Sequence, residues 1–132
     1  MSSVLYVALG GALGASARYG LGQVATRVFD GNFPVGTLSA NVLGSALMGL
    51  LFGYLSSVAN GQATSGQDNL YLFLGVGLLG GFTTFSTFSL DSIMMLERKA
   101  YGAFMSYAGL SLVLSLLAIM LGLWVSREIF ST

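Results

Sequence analysis

Residues 80–91, Gly-Gly-Phe-Thr-Thr-Phe-Ser-Thr-Phe-Ser-Leu-Asp, set five hydroxyls among three phenylalanine rings. A hydroxyl is a neutral donor, and an aromatic ring has a positive edge beside its negative face. Phe82, Phe85 and Phe88 recur every third residue, which puts Phe85 and Phe88 on neighbouring parts of one helical face. Such edges and donors can replace part of the hydration shell of a small, hard anion. Further neutral donors stand elsewhere. Tyr107, Ser111 and Ser115 recur every four residues, opposite Leu110, Leu114 and Leu117, and so line one helical face. Asn41 offers both donor and acceptor. Together with Thr83, Thr84 and Ser86 these groups form a track that favours an anion over a cation. Each also has a plainer role: Asn41 can staple two helices, serines can bond back to their own helix, and a phenylalanine pair can face lipid or core.

Other chemistry is largely excluded. The chain has no cysteine and no histidine, so it lacks thiol nucleophiles, imidazole acid–base groups, disulfides and the usual zinc or haem ligands. Five carboxylates and some hydroxyls make an enzyme the weak reading, and nothing points to an organic cofactor. Net charge is zero and no basic block exists, so nucleic acid is not an expected partner.

The elements that must position these groups are membrane spans. Of 132 residues 55% are hydrophobic and 8% charged, where a soluble domain carries roughly a quarter charged residues; mean hydropathy is +0.81. The charges leave the runs 31–67, 69–90 and 100–126 empty. A spanning helix needs about 20 apolar residues. The expected fold is therefore an all-α integral membrane protein, a single domain over 1–132 with four transmembrane helices at 4–28, 34–59, 70–96 and 101–129. Short connections join them: a turn at 30–34 with Pro34 suited to a first helical position, a polar loop at 60–69, and a charged hairpin at 97–99. The first span is too long for a signal peptide and lacks its charged leading region and cleavage site. The Gly80-Gly81 pair and the polar run after it predict that the third helix breaks near its middle. Irregular backbone at membrane depth is tolerated where protein or a water-filled cavity receives it, and it often marks an ion site.

Two charges lie well inside the spans, and both are functional candidates by default. Arg18 can snorkel to the interface as an anchor or sit in a vestibule and draw anions inward. Asp91 can pair with a cation or with Arg18. Glycine stripes at Gly10/Gly14 and at Asn41/Ser45/Gly49/Gly53 indicate close helix packing. Four tight helices do not easily surround a pore, so a second copy of the chain is expected. Arg27, Arg98 and Lys99 fall on one side and Arg127 on the other, a small orientation bias that also suits insertion both ways.

At this point the residues resemble a family. The 80–91 segment is similar to the third-helix signature of the Fluc (CrcB) fluoride channels. Gly36-Thr37-Leu38-Ser39-Ala40-Asn41 resembles their second-helix segment, Ser16-Ala17-Arg18-Tyr19 their first-helix arginine, and Tyr107-Ala108-Gly109-Leu110-Ser111 their fourth-helix segment. Asp91 departs from the pattern, since many relatives carry Glu there. The resemblance implies an antiparallel, dual-topology homodimer with two fluoride pathways, in the inner membrane of a prokaryotic cell as a multi-pass protein. It implies that the pathway uses Asn41, Phe85, Phe88, Tyr107, Ser111 and Ser115, to which the hydroxyls of Thr84 and Ser86 are added here. It also implies that backbone carbonyls of Gly80 and Thr83 hold a central Na+ between subunits. The implied activity is passive fluoride efflux that lowers cytoplasmic fluoride toxicity.

Two rivals stay in view. A small multidrug-type cation exporter shares the coarse architecture but calls for an embedded carboxylate, usually in the first span, where this chain has Arg18. A non-transporting assembly subunit would explain glycine-rich packing, but not a Gly-Gly break followed by five hydroxyls.

Overall fold

The computed structural model describes residues 2–29, 31–59 and 65–130, and among them every regular element is helical. Helix α1 spans Ser3–Val28 and α2 spans Val35–Val58. The third run starts as a helix at Ser65–Leu70, widens to π-type winding over Tyr71–Leu79 and closes with one turn at Gly80–Phe82. We call this run, residues 65–82, α3. After an extended Thr83-Thr84 step, α4 covers Phe85–Glu97, and α5 covers Tyr101–Phe130. The third segment is thus helical and interrupted, as the glycine pair and hydroxyls predict. It starts five residues earlier than the expected 70, because Ser65-Gly66-Gln67-Asp68-Asn69 are helical without being apolar. Of the polar loop expected at 60–69, residues 60–64 lie outside the described residues, as does Asp30 of the first turn.

Among the described residues three helices are long and apolar enough to cross a membrane: Val35–Val58, the interrupted Ser65–Glu97, and Tyr101–Phe130. The chain is a multi-pass membrane protein. The expected first span is a helix of 26 residues, but it does not join those three. It carries Arg18, Gln23, Thr26 and Arg27 towards one end, which lowers its mean hydropathy. Pro34 precedes α2 rather than opening it; its φ of −81° and ψ of 67° are not helical.

Packing proceeds in two tight pairs, α1 on α3 and α2 on α5, with looser contact between them. Glycine makes both pairs possible. A methyl group on Gly14 would run into the Leu78 carbonyl of α3, and one on Gly49 into the Ile119 carbonyl of α5. Backbones in van der Waals contact gain dispersion where lipid offers no hydrophobic drive. The outward faces stay apolar: Leu112, Leu116, Leu117 and Leu121 of α5 are all more than half exposed. That is the pattern of helices facing lipid or another protein rather than water.

Candidate functional site

The site is built around the step between α3 and α4. Two adjacent β-branched threonines favour extended backbone, and Thr83 (φ −82°, ψ 158°) and Thr84 (φ −153°, ψ 123°) adopt it. Each freed helix end finds partners. Upstream, the Thr83 N–H and its hydroxyl both donate to the Leu79 carbonyl at 3.0 Å. Arg18 Nε donates to the Gly81 carbonyl at 3.2 Å, placing a cation at the negative end of α3. Downstream, Thr84 Oγ1 accepts the Thr87 N–H at 3.1 Å and caps α4. Asn41 of α2 spans the gap. Its Oδ1 accepts the Thr84 N–H at 2.8 Å, and its Nδ2 donates to the Thr84 carbonyl at 3.0 Å.

The break ends the helical ladder for the carbonyls of Gly80, Phe82 and Thr83, besides that of Gly81, which takes Arg18. In an unbroken helix the Gly80 carbonyl would accept from the Thr84 N–H, and that of Thr83 from the Thr87 N–H. Both donors are committed, to Asn41 and to the Thr84 side chain. Among the described residues no cluster of three or more His, Cys, Asp or Glu could hold a metal. Carbonyl oxygens such as these are neutral, hard donors.

A cavity of about 380 Å³ opens beside the break. Its wall brings together Asn41, Thr84, Phe85, Phe88, Ser111 and Ser115 from three helices, six of the residues singled out in the sequence, and Thr83 joins them. Ser111 is only 7% exposed, and its Oγ is buried with no hydrogen-bond partner. Phe85 is 79% exposed, its ring 5.6 Å from that of Phe88. Tyr107 and Ser86 stand apart from this wall. Tyr107 is fully buried and donates its hydroxyl to Asp91 Oδ2 at 3.1 Å. The Ser86 hydroxyl lies 3.2 Å from Thr84 Oγ1 on the exposed side.

A second cavity of about 360 Å³ shares Thr84 with the first and is lined among others by Arg18, Tyr19, Gln23, Thr37 and Thr87. The first turns of α2 and α4 contribute Thr37 and Thr87 to it. Arg18 Nη1 stands 3.5 Å from Thr87 Oγ1, at the edge of hydrogen-bond range. Arg18 and Asp91 thus take different neutral partners, Gly81 and Tyr107.

Sequence reasoning did not single out Ser45, Met48, Thr37 or Thr87 as site residues, nor Phe33, whose ring meets Tyr107 edge-on at 5.7 Å. Ser45 had a signal, since it lies one turn from Asn41 on the glycine stripe. The structure splits that stripe, sending Asn41 and Ser45 to the cavity and Gly49 and Gly53 to α5.

Residues 5–123 match the family model described as CrcB-like protein, Camphor Resistance (CrcB). The chain belongs to this family. The matched span holds every residue of both cavities and of the break between them. A relative from Caulobacter sp. (strain K31) is 46% identical over 131 residues, covering 99% of each chain. One from Phenylobacterium zucineum (strain HLK1) is 46% identical over 99% of this chain and all of its own. One from Cereibacter sphaeroides (strain ATCC 17029 / ATH 2.4.9) is 50% identical over 93% of each. All three carry the name fluoride-specific ion channel FluC.

Proposed function

We propose that this CrcB-like chain conducts fluoride passively across the cell membrane, working as an antiparallel homodimer rather than as an enzyme. The observation that carries the reading is the cavity at the helix break, whose polar wall consists of neutral donors and phenylalanine rings and contains no carboxylate. The names of the near full-length relatives point to the same ion. In this reading Arg18 raises the local anion concentration in the second cavity. Thr84, shared by both cavities, stands where they adjoin. Asn41, Ser111 and Ser115 then supply hydrogen bonds in place of water. The unpartnered Ser111 hydroxyl is the group in that wall with the most to gain from a ligand. The positive edges of Phe85 and Phe88 complete the dehydrated environment.

A second copy of the chain belongs to the proposal for two reasons. Phe85 is mostly exposed beside the cavity, so the path is open on one flank. The Gly80 and Thr83 carbonyls also give one chain only part of a cation site. A resident Na+ would be held by those carbonyls from both copies and would supply a fixed positive charge near the path. The fourth spanning helix, α1, and insertion in both orientations are part of the same proposal.

The test is fluoride efflux from proteoliposomes, followed with a fluoride electrode against a chloride control, for the parent, Phe85→Ala and a preparation kept free of Na+. Fluoride-only efflux that falls in both comparisons is expected. Efflux indifferent to both retains the function and removes the Phe85 and Na+ assignments. No efflux from folded protein overturns the channel, and Asp91-dependent export of cationic drugs becomes the next assay.

A further inference from the structure

Phe33 precedes α2, outside every motif that carries the functional reading, yet its ring completes a row of four. Ring centroids are 5.6 Å apart for Phe85 and Phe88, 5.2 Å for Phe88 and Tyr107, and 5.7 Å for Tyr107 and Phe33. The first two pairs are tilted by 37° and 38°, whereas Phe33 meets Tyr107 at 85°. The row runs from the helix break to the end of the bundle where α2 begins.

The backbone fixes the Phe33 end. Pro34 adopts the inverse γ-turn conformation, closed by the Val35 N–H donating to the Phe33 carbonyl at 2.8 Å. The Pro34 carbonyl accepts the Leu38 N–H at 3.1 Å, which ties the turn to the first turn of α2. Tyr107 has Asp91 and Thr37 as side-chain hydrogen-bond partners, Phe88 against its ring, and Phe33 edge-on to it. Phe33 does not line the cavity, whereas Phe88 does.

We propose that Phe33 is a positioning residue, which braces Tyr107 and through it keeps the Phe88 ring at the cavity wall. Its functional consequence rests on the channel reading; its geometric content does not. Removing Phe33 takes away the edge-on support of the Tyr107 ring while Asp91 and Thr37 still hold its hydroxyl. The ring can then pivot about that end, and Phe88 loses its backing on the side away from Phe85. An aromatic at position 33 is required, because only a flat ring meets Tyr107 edge-on within the γ-turn's reach.

Two measurements test this on the full chain in lipid. Single-channel recordings compare the parent with Phe33→Ala, Phe33→Leu and Phe33→Tyr. The unitary fluoride current should fall roughly 2- to 10-fold in the alanine and leucine variants, the range matching loss of one aromatic pair, and recover in Phe33→Tyr. A structural role alone would reduce the number of active channels and leave the unitary current unchanged, and that result overturns the proposal. The leucine variant answers the same question if the alanine variant does not fold. The second readout is the fluorine NMR signal of 4-fluorophenylalanine placed at position 88. It should shift in Phe33→Leu and stay at its parent position in Phe33→Tyr; an unmoved signal in Phe33→Leu overturns the proposal whatever the currents do. If the parent carries no fluoride current, the channel reading fails, and the fluorine signal alone decides whether Phe33 positions Phe88.

Discussion

Asn41→Ala removes both bonds that hold Thr84 extended, and the cost follows from the geometry. The 2.8 Å and 3.0 Å contacts satisfy the N–H and the carbonyl of one peptide residue. A buried backbone group left without a partner costs about 1–3 kcal/mol, so the pair is worth about 2–6 kcal/mol. The cavity admits water to one side of Asn41, so the lower end applies, about 2 kcal/mol. That corresponds to roughly a 30-fold larger population of the opened break. The Thr84 amide reports directly on this, because its exchange with deuterium requires the Asn41 bond to open. In lipid nanodiscs, Thr84 exchange should accelerate roughly 30-fold in Asn41→Ala. Ser45→Ala, one turn along the same wall, should leave it unchanged. A Thr84 amide equally protected in Asn41→Ala and in the parent would refute the clamp.

The glycine pairs predict opposite outcomes at neighbouring positions. Gly14→Ala drives a methyl group into the Leu78 carbonyl and should cost about 1–3 kcal/mol of thermal stability in detergent, whereas Gly20→Ala meets nothing within 4 Å and should gain up to about 1 kcal/mol. Lys99 holds a φ of 58° in the hairpin between α4 and α5, so Lys99→Gly should stabilise by about 1 kcal/mol in the same melt. Arg18→Met should slow fluoride efflux more at low than at high ionic strength, since the lost contribution is partly long-range attraction; efflux that does not change at any salt concentration would leave Arg18 only its bond to Gly81.

The position of the break was legible because glycines followed by paired threonines violate what a spanning helix needs. The face of α5 was legible too: Ser111 and Ser115 point inward, while Leu110, Leu114 and Leu117 are exposed, as a four-residue period requires. The partners were not legible. Asn41 and Thr84 are 43 positions apart, and a lone amide in a span reads equally well as a staple and as a pathway donor. The bond pattern clamps Asn41 to Thr84, and its side chain still reaches the cavity wall. Tyr107 shares the serine face by spacing, but Asp91 and two rings enclose it. The winding of Tyr71–Leu79 was not legible either, though its Gly77 packs directly against Gly10. Counting charges showed the extent of α1 but not that its Arg18, Gln23 and Thr26 line the second cavity.

The wall of the first cavity has a consequence for how the protein meets a changing environment. None of its side chains gains or loses a proton anywhere between strong acid and strong base: amide, hydroxyl, thioether and hydrocarbon are all fixed in charge. The field there comes from peptide and side-chain dipoles and from ring quadrupoles, which acidification does not alter. An organism whose surroundings turn acid would keep this wall electrically the same, and any sensitivity to proton concentration has to enter through residues outside it.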